Sequence, residues 1–452
     1  MLDVRFNGAR LVSVEDGNVT NVEVVNANLL GGSDTLNYAT TLAAVAVAVN
    51  LSTGVASGFT SITSIENVTA GLGGDTIVGS GGANVLTGLA GADTIDGAAG
   101  DDVFVATVGD GNDAYIGGLG VDFYSLANTT ANAVINLSTG SAASAQTGTD
   151  SLAGVEGVIG SFGADNITGD ANANIIDGGD SADVINGGAG NDTLSGGAGN
   201  GDVVNGGAGN DLIIYNFGDG VDTSYDGGAD TDTLRINGTT GANTLTAVWN
   251  GARLTNVNGT ALINIEAVNA DLLGGADRLD YTGTPGANGV SVDLGAGAAS
   301  GFSAIAGIEN VTGAGGADTL IGDANANDLD GAGGADILNG AGGNDVLNGG
   351  GGADTLIGGL GDDAMNGGAG SDTFVFSGAF GADTISGFDE NPAGGQDLLD
   401  ISGLGVSAAN FAASVAIVQQ GANVLVTING QTITLLGESA ATITAADFLL
   451  AP

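Results

Sequence analysis

The chain has 452 residues, and its five basic residues, all Arg, stand against 52 acidic ones for a formal net charge of −47. The absence of His, Cys and Lys excludes the usual zinc sites, Ser-His-Asp triads, thiol nucleophiles, P-loops and Schiff bases. The charge excludes nucleic acid and anionic membrane surfaces as electrostatic partners, and leaves either a self-repelling disordered chain or a fold completed by cations.

In chain order, residues 1–70 read as a strand-rich N-terminal β-solenoid module. A first tract with a nine-residue period follows over 71–125, aligned on Asp75, Asn84, Asp93 and Asp102 and continued loosely at Asp113 and Asp122. Residues 126–160 form a β-rich connector. The second tract, 161–235, runs through Asp165, Asn174, Asp183, Asp192, Asp202 and Asp211, with Asp222 and Asp232 continuing it irregularly. Residues 236–312 duplicate the N-terminus: Asn7-Gly8-Ala9-Arg10-Leu11 recurs as Asn250-Gly251-Ala252-Arg253-Leu254, and Ile65-Glu66-Asn67-Val68-Thr69 as Ile308-Glu309-Asn310-Val311-Thr312. The third tract, 313–390, places Asp318, Asn327, Asp336, Asp345, Asp354, Asp363 and Asp372 at unbroken spacing of nine, with Asp383 after eleven. Two residues beyond each acid stands an apolar residue, such as Ile77, Leu194 or Leu347, with Ser224 the exception. Residues 391–452 read as a C-terminal antiparallel cap, in which Val424–Ile428 and Gln431–Leu435 flank an Asn-Gly hairpin turn. No run of about 18 apolar residues exists, so no membrane span is expected.

A unit such as Gly340-Ala341-Gly342-Gly343-Asn344-Asp345-Val346-Leu347-Asn348 combines a glycine loop with a short strand that points one apolar side chain inward. Two units per turn stack residue i on i+18. This places Asp318, Asp336, Asp354 and Asp372 in one column, and Asn327, Asp345 and Asp363 in another. Rungs ~4.8 Å apart make stacked carboxylates repel unless a cation lies between them. Carboxylate and loop carbonyl oxygens form a hard-donor environment that suits Ca²⁺ better than Mg²⁺.

Units such as Gly187-Gly188-Ala189-Gly190-Asn191-Asp192-Thr193-Leu194 and Gly367-Gly368-Ala369-Gly370-Ser371-Asp372-Thr373-Phe374 resemble the nonapeptides of the RTX (repeat-in-toxin), hemolysin-type calcium-binding family. The resemblance implies an all-β fold: a parallel β-roll with multiple Ca²⁺ ions between stacked loops. It implies carboxylate ligands at Asp75, Asp93, Asp102, Asp165, Asp183, Asp192, Asp202, Asp211, Asp318, Asp336, Asp345, Asp354, Asp363 and Asp372. Carbonyl ligands are implied at loop positions such as Gly340, Gly342, Gly349 and Gly351. Asn84, Asn174 and Asn327, each second in its tract, depart from the pattern, so the opening sites are expected to be weaker or differently liganded. The end of the chain, Ala446-Asp447-Phe448-Leu449-Leu450, resembles the uncleaved type I secretion signal of such proteins, and a capping strand is needed there in any case.

No catalytic constellation is visible, so an enzyme is not expected. The leading expectation is a secreted calcium-binding protein with a structural or interaction role at a bacterial surface, matrix or S-layer. Its expected partners are calcium, the type I secretion apparatus, and either cell-surface polysaccharide or further copies of itself. The alternative is a polysaccharide-acting β-helix enzyme or its calcium-binding accessory module, since two Asp suffice for glycoside hydrolysis.

Overall fold

The structure, a computed structural model, describes all residues except 16, 20, 21, 43 and 391–394; the start of the expected C-terminal cap lies outside the described residues. It is almost wholly β, with one four-residue helix, Phe411–Ser414, and two 3₁₀ turns among the described residues. Two compact units are formed, residues 1–234 with 263–266, and residues 235–262 with 267–452.

Most strands are three residues long and bury only the middle side chain, because the glycine loops on either side turn the chain before a second inward position is reached. In the first unit, one parallel stack runs through Thr35–Asn37, Asn67–Thr69, Val85–Thr87, Val103–Val105, Phe123–Ser125, Gly157–Ile159, Ile175–Asp177, Thr193–Ser195 and Leu212–Asn216. The other runs through Ala48–Asn50, Thr76–Val78, Thr94–Asp96, Ala114–Ile116 and Gly148–Ala153. There an antiparallel meander through Ser141–Ser144 and Ala133–Asn136 intervenes before the parallel stack resumes at Asn166–Thr168. This meander is the element that the sequence reads as a β-rich connector.

In the second unit, Ser291–Asp293, Thr319–Ile321, Ile337–Asn339, Thr355–Ile357, Thr373–Val375, Leu398–Asp400 and Phe448–Leu449 stack in parallel. Facing positions run Leu320, Leu338, Leu356, Phe374, Leu399 and Phe448, all buried. A second stack, Arg278–Asp280 to Ala382–Ser386, ends on Gln431–Leu435, and antiparallel pairing with Asn423–Ile428 and then Val415–Gln420 closes it. The Asn429-Gly430 turn has φ 52° and 90°, as a two-residue hairpin requires. The terminal Asp447 is buried, and its carboxylate accepts from the Thr444 backbone N–H at 2.7 Å.

The register follows i+18 in the third tract. It lengthens to 19, 20 or 21 where loops gain residues, and to 37 across the meander. Ser224, the apolar exception, faces outward because a one-residue slip lets Tyr225 pair with Val204 in the core. The duplication is repeated in detail. Tyr38 donates to the Ser57 carbonyl at 2.6 Å and Tyr281 to the Ser300 carbonyl at 2.7 Å.

Rung spacing depends on bare backbone. Gly352 has φ 150°, and a Cβ there would lie 1.2 Å from the Gly334 carbonyl oxygen one rung away. Gly352→Ala is therefore expected to lower stability by more than about 3 kcal/mol, read from denaturant unfolding of the calcium-loaded chain. An unchanged midpoint would contradict this packing.

Candidate metal centres

The acidic residue of each nonapeptide ends its loop and points back under it. One oxygen serves the neighbouring rung: Asp336 Oδ1 accepts the Asp318 N–H at 2.8 Å, Asp354 Oδ1 that of Asp336 at 2.8 Å, and Asp372 Oδ1 that of Asp354 at 2.9 Å. The opposite column repeats this from Asn327 through Asp345 and Asp363 to Asp383. The columns are thus hydrogen-bonded ladders, a role that the sequence does not reveal.

The second oxygen is the informative one. Among the described residues, sixteen Asp Oδ2 atoms are buried without a hydrogen-bond partner: those of Asp34, Asp93, Asp102, Asp122, Asp183, Asp192, Asp202, Asp211, Asp232, Asp277, Asp336, Asp345, Asp354, Asp363, Asp372 and Asp383. Each such atom costs about 1–3 kcal/mol, and more when charged. Thirteen of these Oδ2 atoms, all but those of Asp34, Asp277 and Asp383, face the glycine at the head of their own loop. A Cβ on Gly340 would meet Asp345 Oδ2 at 2.2 Å, and one on Gly349 would meet Asp354 Oδ2 at 2.6 Å. The Gly340 and Gly351 carbonyls accept the Gly342 and Gly334 N–H groups at 3.0 and 2.8 Å, and a carbonyl retains a second lone pair. Gly342 bridges in parallel to Leu360 on the next rung.

Desolvation pushes the carboxyls of Asp93, Asp102, Asp336, Asp345 and Asp383 up to about 7, and that of Asp183 up to about 8. Stacked neighbouring carboxylates add to the rise, while the ladder hydrogen bonds oppose it. Among the described residues no three acidic side chains converge on one point. A cation here would take one carboxylate oxygen per loop and its other ligands from backbone carbonyls. An all-oxygen set with unpartnered, desolvated carboxylate oxygens fits a hard divalent cation of the Ca²⁺ type.

Of the residues implied as carboxylate ligands, Asp75, Asp165 and Asp318 are placed differently from the rest. Their Oδ2 atoms accept N–H groups four residues back, from Gly71, Ser161 and Ala314 at 2.7, 2.7 and 2.6 Å. These opening loops are closed by the protein itself. Conversely, Asp34, Asp122, Asp232, Asp277 and Asp383 carry unpartnered oxygens but fall outside the implied set. The phrases Gly31-Gly32-Ser33-Asp34 and Gly274-Gly275-Ala276-Asp277 held the signal for two of them.

Four glutamates also belong to the columns. The N–H groups of Asp34, Asp122, Asp232 and Asp277 donate to Glu66, Glu156, Glu266 and Glu309 at 2.9, 3.0, 2.9 and 2.9 Å. Their longer side chains reach the same donor across the excursions in the chain. Three of them explain the Asn departures. Asn84, Asn174 and Asn327 donate through Nδ2 to the Glu66, Glu156 and Glu309 carbonyls at 2.6, 3.2 and 2.8 Å. A carboxylate cannot donate, so Asn is the residue that joins a glutamate rung to an aspartate column.

A family model, the RTX calcium-binding nonapeptide repeat (4 copies), matches residues 69–104, 159–194, 168–201, 177–213, 187–222, 304–338 and 339–374. The comparison with curated proteins gives no match. Among solved structures, the chain is similar to the extracellular lipase LipA from Serratia marcescens, at 19% identity over 64% of this chain and 40% of the lipase, with a TM-score of 0.22. It is also similar to the AlgE6R3 and AlgE6R2 subunits of the Azotobacter vinelandii mannuronan C5-epimerase. Identities are 31% and 30%, each match covers 30% of this chain, 78% and 91% of the subunits are covered, and both TM-scores are 0.18. The chain spans less than half of the lipase. In each of its three tracts the chain carries RTX calcium-binding nonapeptide repeats, wound into a parallel β-roll.

Proposed function

We propose that this chain is a secreted, calcium-dependent β-roll with a structural or interaction role at a bacterial surface, matrix or S-layer, and that calcium outside the cell completes its fold after export. The observation that carries the reading is the sixteen buried, unpartnered carboxylate oxygens among the described residues. A bound divalent cation supplies each with a counter-charge and a coordination bond. At one cation per unpartnered oxygen, the loops would take sixteen ions, and the net charge of −47 would fall to −15. The remaining acidity keeps the surface soluble.

Equilibrium dialysis with calcium at millimolar concentration tests the reading. Uptake of about one ion per unpartnered oxygen is expected, and no uptake refutes it. Residue roles follow from two variants. Asp354→Asn keeps the acceptor for the Asp336 N–H and removes the charge, so a higher calcium midpoint is expected. Asp354→Ala also orphans that N–H, and should cost about 1–3 kcal/mol more. Equal midpoints for both variants and the parent would exclude Asp354 as a ligand. The absence of His, Cys and Lys supports a non-enzymatic role. Release of reducing ends or unsaturated products from alginate or pectin would overturn it in favour of a polysaccharide-acting enzyme. Electron microscopy of the calcium-loaded chain distinguishes self-assembly into sheets or filaments from monomers that require a separate partner.

A further inference from the structure

The columns are not uniform. In the first unit, the column that contains Asp93 continues through Asp113 and Asp150. At Asp150, Oδ2 has a tyrosine donor to itself; at Asp113, Oδ2 shares the single Tyr115 hydroxyl proton with Asp110 Oδ2. Tyr124 donates to Asp150 Oδ2 at 2.6 Å, and Asp150 Oδ1 accepts the Asp113 N–H at 2.9 Å, so both oxygens are occupied. Tyr115 presents its hydroxyl to Asp113 Oδ2 at 3.2 Å and to Asp110 Oδ2 at 3.1 Å, and Thr107 donates to Asp110 Oδ1 at 2.8 Å.

Both tyrosines stand at core positions of the roll and are almost wholly buried. Their rings pack with centroids 5.3 Å apart, and Phe104 lies 5.4 Å from Tyr115. The antiparallel meander Ala133–Ala153 lies against this segment and is tied to it by Gly109 N–H to the Gln146 carbonyl at 2.7 Å. Between residues 107 and 153 one unpartnered Asp oxygen remains, that of Asp122, whereas residues 336–383 hold six. A buried tyrosine hydroxyl thus supplies here what the other rungs lack. The local pairing of the meander adds contacts of short sequence separation, which form early and cost little loop entropy.

We propose that the tyrosine-closed rungs around Asp113 and Asp150, with the meander that covers them, form a cation-independent segment that stays folded when the metal is removed and from which the cation-dependent rungs extend. The inference rests on the reading that unpartnered carboxylates are what makes the other rungs require a cation.

Hydrogen exchange read by mass spectrometry on the full chain tests it, in calcium and in chelator. In chelator, amides of 107–116 and 133–153 are expected to exchange at least about tenfold more slowly than those of 336–375. Equal loss of protection in both segments overturns the segment while leaving the cation requirement intact. Retained protection in both overturns the cation requirement itself. Tyr124→Phe leaves Asp150 Oδ2 without its donor. In that variant, protection of 133–153 should become calcium-dependent, lost in chelator and restored in calcium. Protection that persists in chelator, or that calcium fails to restore, counts against the hydroxyl's assigned role. Asp150→Asn, which carries no charge to neutralise, should keep its protection in chelator, and its loss there would also overturn the proposal.

Discussion

Stripping calcium from the loaded chain at pH 8 and low ionic strength is expected to convert a β-type circular dichroism spectrum into one dominated by coil. The argument is one of magnitudes. Among the described residues, sixteen buried Asp oxygens have no partner, and each costs about 1–3 kcal/mol or more when charged. A domain has only about 5–15 kcal/mol of net stability to set against this. The carboxylates also stack on neighbouring rungs at ~4.8 Å, where burial limits screening by salt. Binding of a cation to the folded form alone adds stability by mass action. Re-addition of calcium should restore the β signal over the millimolar range typical of weak extracellular sites. Identical spectra in chelator and calcium would refute the coupling.

Acidification is expected to act in opposite directions on the two forms. Without metal, burial raises the carboxyls of Asp93, Asp102, Asp336, Asp345 and Asp383 to about 7 and that of Asp183 to about 8, against about 3.9 in an unfolded chain. A raised carboxyl binds its proton more tightly in the folded form. Its contribution to stability is fully present below the unfolded value and is lost as pH rises through about 7 to 8. Lowering the pH of the chelated chain from about 8 to about 5.5 should therefore recover β structure. The calcium-loaded chain should respond the other way, because protons compete for the same oxygens and the calcium midpoint rises on acidification. Titrations at several pH values that give the same slope for both forms would sink this account.

The residues that carry these effects were unequally legible. The inward Leu320, Leu338, Leu356 and Phe374 follow from their spacing alone, because a fixed period makes stacking the only register that buries every apolar residue. The Asn-Gly turn of the terminal hairpin was equally plain. The pairing of Tyr115 with Leu152 was not, since a meander intervenes and no periodicity spans it. Ser224 looked like a broken unit because a one-residue slip, with Tyr225 filling the core, is a property of the strand and not of the repeat.

The ligand set shows the same division. Asp318 and Asp336 are the same residue type at the same place in the same motif. One has its second oxygen capped by the Ala314 N–H, and the other has none. The four column-ending glutamates were hidden because their hydrogen bonds cross 32 to 34 residues.

The sequence by itself carried the nine-residue period of the three tracts, which constrains both the inward apolar positions and the stacked acids, and the resemblance of those tracts to RTX repeats implied the β-roll and its calcium. Only the tertiary structure decided which acids keep an oxygen without a protein partner. That depends on whether a backbone N–H or a tyrosine hydroxyl from a distant rung already occupies the second oxygen. The charge of −47 therefore divides into carboxylates that the protein satisfies and carboxylates whose second oxygen no protein group satisfies.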